Sequence, residues 1–241
     1  MTTPNLTVHH LQIGQGERVP WLLEELNIPY KLVNYKRSPL LSPDELKAKH
    51  PLGASPVLED HTDPSNPITL AESGAIVEYI IQKYANGKLA LGPSHKNFAD
   101  YLYWFNFSNC TLQPAIFRCA MLRGGIPNSA TDLRFLGAED RVKKALNHIN
   151  SRLLSNQWLA GEEFTAADVM TGWCVTTMRH FEPIDLTEYE GILGWVKRFN
   201  EREAYRTAMG KSDPDINLEE NSSAKGPAPI EMFIRAMAGK F

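Results

Sequence analysis

Glu72 and Ser73 stand where a short apolar run, Ile68-Thr69-Leu70-Ala71, gives way to the helix-forming stretch Ala75-Ile76-Val77-Glu78-Tyr79-Ile80-Ile81. A hydroxyl and the unpaired backbone donors of a helix start then point at one spot, and such a spot binds an anion. Upstream, Ala54-Ser55-Pro56-Val57-Leu58 reads as a short strand opened by a proline, which cannot donate to a ladder. A cis bond between Ser55 and Pro56 is expected there. Either piece alone is ordinary, since Ser-Pro makes turns and Glu-Ser caps helices. Their occurrence in this order, after a strand-helix-strand stretch, points to a binding site.

The elements that must position these residues follow from periodicity. Residues 6–11 read as a strand around Val8. Residues 18–26 carry Val19, Leu22, Leu23 and Leu26 at helical spacing, with Pro20 tolerated in the first turn. Asn27-Ile28-Pro29 breaks that helix, and residues 30–35 form a second strand. Ser42-Pro43-Asp44 predicts a helix start that ends before Pro51. Two strands, at 57–59 and 68–70, and a helix over 73–84 close a unit with the element order of a thioredoxin-like domain. Residues 85–96 suit a linker, and the rest reads helical: 97–122, 131–154, 166–181 and 189–209. Thr165 and Asp168 form a capping box, with Phe164 and Val169 as its staple. Residues 212–229 read as a mobile connector and 230–237 as a short amphipathic segment.

Ser55-Pro56 and Glu72-Ser73, with Arg18-Val19-Pro20-Trp21-Leu22-Leu23, His50-Pro51-Leu52-Gly53, Tyr101-Leu102-Tyr103-Trp104 and Leu112-Gln113-Pro114, resemble soluble glutathione S-transferases of the yeast type. The resemblance spans residues 6 to 210. It implies an α/β thioredoxin-like N-terminal domain (1–85) that binds glutathione and an all-α C-terminal domain (96–241) that binds a second substrate. In such proteins a residue beside a cis-proline, here Ser55 with Pro56, holds the cysteinyl backbone. The acidic-Ser pair, here Glu72 and Ser73, grips the γ-glutamyl end. The second substrate is expected between the Gly14 region and the first helix of the α domain, near Tyr103, Phe107, Asn109 and Thr111, with Trp104 partly core. A homodimer is implied as well.

Two positions depart from the family pattern. Relatives carry a serine whose hydroxyl meets the sulfur, where this chain reads Gly14-Gln15-Gly16-Glu17-Arg18. The nearest substitutes are backbone amides around Gln15 and Gly16, with the side-chain amide of Gln15 or Gln12 as donor; either glutamine can equally be solvated. Nothing in this segment can act as a general base. Ala54 stands where a basic or amide residue often meets the glycyl carboxylate, and Lys36, Arg37 and Lys49 are the candidates to replace it.

Composition narrows the class further. A net charge of -3 gives no long-range attraction to nucleic acid or anionic membrane. No apolar run approaches the ~20 residues of a membrane span, so a cytoplasmic protein is expected. Three scattered cysteines, Cys110, Cys119 and Cys174, make neither a disulfide framework nor a metal site, and no metal is expected. Three functions stay open: a transferase acting on a hydrophobic electrophile, a glutathione-dependent cis-trans isomerase of the kind used in secondary metabolism, and a non-catalytic binding protein.

Overall fold

The computed structural model describes residues 3–38, 40–126, 129–230 and 233. In chain order the elements are β1 (Leu6–Gln12), a 3-10 turn (Gln15–Glu17), α1 (Arg18–Leu26), β2 (Lys31–Lys36), α2 (Asp44–Lys47), β3 (Val57–Asp60), β4 (Ile68–Ala71) and α3 (Ser73–Tyr84). After them come α4 (Phe98–Phe107), a π turn (Ser108–Leu112), α5 (Gln113–Gly125), α6 (Leu133–Ser155), α7 (Ala166–Val175), α8 (Glu190–Asn200), α9 (Glu203–Ser212) and α10 (Leu218–Ser222). Two compact units result: Met1–Pro93 with Asn200–Ile216, and Ser94–Phe199 with Asn217–Phe241.

The first unit is built on a four-stranded sheet of order β2-β1-β3-β4. β1 pairs parallel with β2, while β3 runs antiparallel to both β1 and β4. The parallel pair needs a crossover, and α1 supplies it. Asn27 ends α1 in the left-handed conformation, with its amide on the Glu24 and Leu23 carbonyls, so the break expected at Asn27 has a local cause. Four successive residues of β1, Val8 to Leu11, are buried. A strand covered on both faces loses its alternation, which is why its periodicity in the sequence is weak.

The helix expected over 189–209 is two helices. Arg202 adopts an extended conformation and starts α9, which packs with the first unit. There the Trp21 and Tyr205 rings meet edge-on at 4.7 Å, and Arg202 makes a two-pronged pair with Glu25 at 2.6 and 2.7 Å. Amphipathic spacing gave the helical character of this stretch, whereas its break and its partner come from contacts distant in sequence.

In the second unit the helix expected over 97–122 contains a π turn. Pro114 has no amide for the Cys110 carbonyl and its ring crowds that oxygen. A widened turn over Ser108–Leu112 relieves the clash, and Ser108 there donates to the Met170 carbonyl at 2.7 Å. The box of Thr165 and Asp168 forms as expected and opens α7. The segment expected to be a mobile connector is instead pinned. Arg179 is buried and donates to the carbonyls of Ser223 and Ala224, each at 2.8 Å, and to Ile184 at 2.9 Å. Its guanidinium lies against Gly226, where no Cβ would fit. The amphipathic segment expected over 230–237 lies outside the described residues, apart from Ile230 and Phe233.

Asp60, at the end of β3, ties the sheet to α3. Its carboxylate accepts from Tyr79 at 2.6 Å, Lys83 at 3.1 Å, the Thr62 amide at 2.9 Å and Tyr84. Burial works against the charge, but the bonds from Thr62, Tyr79 and Tyr84 outweigh it and hold the carboxyl well below the usual range. A depressed carboxyl contributes stability at neutral pH that disappears as pH falls below the unfolded value near 4. Asp60→Asn is therefore expected to cost about 3 kcal/mol at pH 7 in urea unfolding and less at pH 2.5. A difference that does not change with pH would reject this role.

Candidate functional site

In the first unit the two motifs singled out in the sequence are joined by a residue that neither contains. Arg18, the first residue of α1, is completely buried. Its Nη1 donates to Gln15 Oε1 at 3.1 Å and to Ser73 Oγ at 3.0 Å. Gln15 in turn reaches the Ser55 carbonyl through Nε2 at a long 3.5 Å. The Ser55-Pro56 bond is cis, as expected. A chain of polar contacts thus runs from Ser55 through Gln15 and Arg18 to Ser73. Gln15 is tethered rather than solvated, and Gln12 is likewise committed, to the Ser212 carbonyl at 2.5 Å. A signal for Arg18 existed in the sequence: it lies one helical turn before Leu22, on the apolar stripe of α1, where a charge needs a partner.

Glu72 has a φ of 68°, in the region that favours glycine, and its carbonyl takes the Ile76 amide at 2.9 Å as α3 begins. For a non-glycine residue this conformation costs about 1–3 kcal/mol and is held only by its surroundings. Its side chain is exposed, whereas Ser73 is buried. The Ser73 hydroxyl accepts from Arg18.

Gly14 precedes the 3-10 turn in extended backbone, and the Glu17 amide closes on its carbonyl at 3.2 Å. A Cβ at Gly14 would stand 3.0 Å from the Leu11 carbonyl oxygen and 3.5 Å from Arg37 Nη2. Extended backbone suits any residue, so only space bears on a side chain here: the Leu11 carbonyl would have to give by a few tenths of an ångström to admit the serine of the family pattern. Arg37 braces the same segment by donating to the carbonyls of Leu40, at 2.8 Å, and Ile13. Burial pulls its guanidinium down to about 10, against the attraction of Asp213. Gly16 is tighter still, because a Cβ there would meet His10 Nδ1 at 2.5 Å and Ser55 Oγ at 2.9 Å. Ser55 Oγ accepts the Leu11 amide at 3.0 Å and donates to the His9 carbonyl at 3.4 Å, which anchors the strand opening to β1.

Of the basic candidates, Lys49 pairs with Glu59 at 3.4 Å, and Glu59 also accepts from His9 at 3.0 Å. Burial raises the Glu59 carboxyl, but His9 and Lys49 together bring it below its ordinary value. Lys36 is exposed, and Arg37 is occupied as described.

The expected substrate residues lie in the second unit. Tyr103 is half exposed and bonds His148 Nε2 at 3.0 Å. Trp104 is buried and stacks on the His148 ring at 4.9 Å. Phe107 is buried too, at 6% exposure, with its ring against Tyr103, Trp104 and His148. Aromatic residues at helical spacing pack together in this way. Asn109 and Thr111 sit half-buried in the π turn. Tyr103 and Trp104 also line a cavity of about 590 Å³ with Asp100, His148, Ser151 and Arg152. Among the described residues no group of three or more His, Cys, Asp or Glu side chains is placed to hold a metal ion. No helix among them is long and apolar enough to cross a membrane.

Residues 15–88 match the sequence model of the glutathione S-transferase N-terminal domain, and residues 113–198 that of the C-terminal domain. The chain is 28% identical to glutathione S-transferase 3 of Schizosaccharomyces pombe, over 94% of this chain and 98% of that protein. A solved glutathione S-transferase from Actinobacillus pleuropneumoniae has a TM-score of 0.76 at 26% identity, covering 90% of this chain and 98% of that one. A glutathione transferase from Burkholderia graminis, solved with two glutathione molecules per subunit, shares the fold with a TM-score of 0.70 at 19% identity, covering 87% and 89%.

Proposed function

This chain belongs to the glutathione S-transferase superfamily, and from that premise we propose that its first unit binds glutathione and directs the ionised thiol at a hydrophobic electrophile. The observation that carries this reading is the chain of contacts from Ser55 through Gln15 and Arg18 to Ser73, beside a strained Glu72. It holds two separated binding motifs in one arrangement. In this reading the Ser55 backbone meets the cysteinyl part of glutathione. Ser73 and the start of α3 take the γ-glutamyl carboxylate, and Glu72 takes the α-amino group.

None of the three cysteines lies in the first 109 residues, and in this reading the reacting sulfur is glutathione's own. An ordinary thiol with a pKa of ~8.5 is mostly protonated near neutrality, and a shift of one to two units corresponds to ~1.4 to 2.7 kcal/mol. Backbone amides at the 3-10 turn after Gly14, which leads into α1, supply stabilisation of this size without a hydroxyl. The thiol gives its proton to solvent on binding, and the thiolate then adds to the β-carbon of a conjugated acceptor: the C–S bond forms as the carbon–carbon π bond breaks, the α-carbon takes a proton from solvent, and a thioether results. An isomerase would use the same grip: the thiolate adds to a conjugated alkene, a bond rotates, and elimination returns the thiol. Glutathione consumed in step with product marks conjugation, and turnover without net consumption marks isomerisation.

Glu72→Ala is the test of the site. Losing the carboxylate that meets an ammonium group is expected to weaken glutathione binding by about 2 kcal/mol, close to thirtyfold in calorimetry. Unchanged affinity in the folded variant would remove Glu72 from the site.

A further inference from the structure

Gly14 stands where the family pattern has a serine, and the space beside it is bordered by a cation. Among the described residues other than its chain neighbours, the one side-chain atom within 4 Å of the place that a Gly14 Cβ would take is Arg37 Nη2, at 3.5 Å. Arg37 directly follows β2 and is half-buried. Its guanidinium is held from two sides: Nη1 donates to the Leu40 carbonyl at 2.8 Å, and Nη2 to the carbonyl of Ile13, the residue before Gly14. With burial pulling it down only to about 10, the group keeps its charge at neutral pH.

We propose that Arg37 takes the place of the missing serine, its guanidinium holding the glutathione sulfur ionised through charge from beside the Gly14 backbone. The thiol proton leaves to solvent, and the cation favours the thiolate that remains. An opposite charge within ~4–6 Å acts in this direction, and a partly buried one is screened less than one at the surface. The opposing charge is Asp213, just past α9, which attracts the guanidinium. Its carboxylate is tied to His10 of β1 at 2.8 Å, whereas the guanidinium is tied to the segment that carries Gly14, so the cation is the member of the two that borders the turn. Lys36, its neighbour at the end of β2, is exposed. Glu17 and Arg18, in the turn and at the start of α1, are unchanged between the parent and variants of Arg37, so a difference between these reads Arg37. The inference rests on the proposed glutathione site.

The test compares the parent protein with Arg37→Gln, which keeps a donor for the Ile13 carbonyl and loses the charge, and with Arg37→Lys, which keeps the charge. Ionisation of bound glutathione is followed by thiolate absorbance from about pH 5 to about pH 9. Calorimetry gives the affinity for glutathione and for S-methylglutathione, whose sulfur has no proton to lose. In Arg37→Gln the thiolate midpoint is expected to rise by about one pH unit, with an approximately tenfold fall in kcat/KM toward a Michael acceptor at about pH 6.5. Arg37→Lys should stay within about 0.3 unit of the parent, and both variants should bind S-methylglutathione within about threefold of it. A titration of Arg37→Gln that superimposes on the parent's overturns the proposal. So does a parallel loss of S-methylglutathione affinity, which would put Arg37 on the glycyl carboxylate, and so does an equal shift in Arg37→Lys, which would make the effect one of bracing and not of charge. Failure of the parent itself to bind either compound would instead sink the functional reading, and this inference with it.

Discussion

Asp168→Ala is expected to lower the unfolding free energy by about 4 kcal/mol, the largest stability effect among these substitutions. The Asp168 carboxylate is fully buried and accepts four bonds. Oδ1 takes the Leu159 amide at 3.0 Å and the Trp195 indole at 2.9 Å, while Oδ2 takes the Thr165 amide at 2.9 Å and its hydroxyl at 3.3 Å. It thus joins the start of α7 to the turn before it and to α8. Alanine would leave two amides and an indole donor buried without partners, at about 1–3 kcal/mol each, and would remove the return half of the capping box. These costs do not add in full. Burial pushes the carboxyl up to about 6, so part of what the four donors contribute is spent on keeping a charge in the core. Urea unfolding followed by circular dichroism measures the effect, and a loss below about 1 kcal/mol would show that the box is dispensable.

Arg18→Met carries the largest expected effect on binding. Methionine fills much of the arginine's volume, so the variant removes the polar strut with limited repacking. Ser73 and Gln15 would lose their shared donor, and the left-handed Glu72 beside Ser73 would lose part of what holds it. A conformation worth about 1–3 kcal/mol of strain relaxes when its neighbours stop enforcing it. Glutathione affinity is then expected to fall about fiftyfold or more, beyond the loss from Glu72→Ala, because both motifs are loosened at once. Arg18→Lys should not restore it, since a compact ammonium on a shorter reach does not reproduce the guanidinium's planar donor geometry. Calorimetry on the folded variant decides. Affinity within threefold of the parent would mean that Arg18 only packs.

Local chemistry made much of this protein legible in its sequence. The strand opening at Ser55-Pro56, the helix start at Glu72-Ser73, the stop at Asn27 and the box of Thr165 and Asp168 each depend on residues within a few positions of one another. Backbone geometry and capping act over that range, so the residues themselves carry the information. The family resemblance rested on the same local motifs. The tertiary structure decided what depends on distant partners. Arg18 meets Ser73, His10 meets Asp213, and α9 leaves the helical unit to pack on α1, all across separations with no local signal. The segment after Ser212 was misread for that reason. Whether an aromatic ring faces ligand or core, and whether a polar stretch is loose or pinned by a buried arginine, is set by what packs against it, and that neighbour is chosen only when the chain folds.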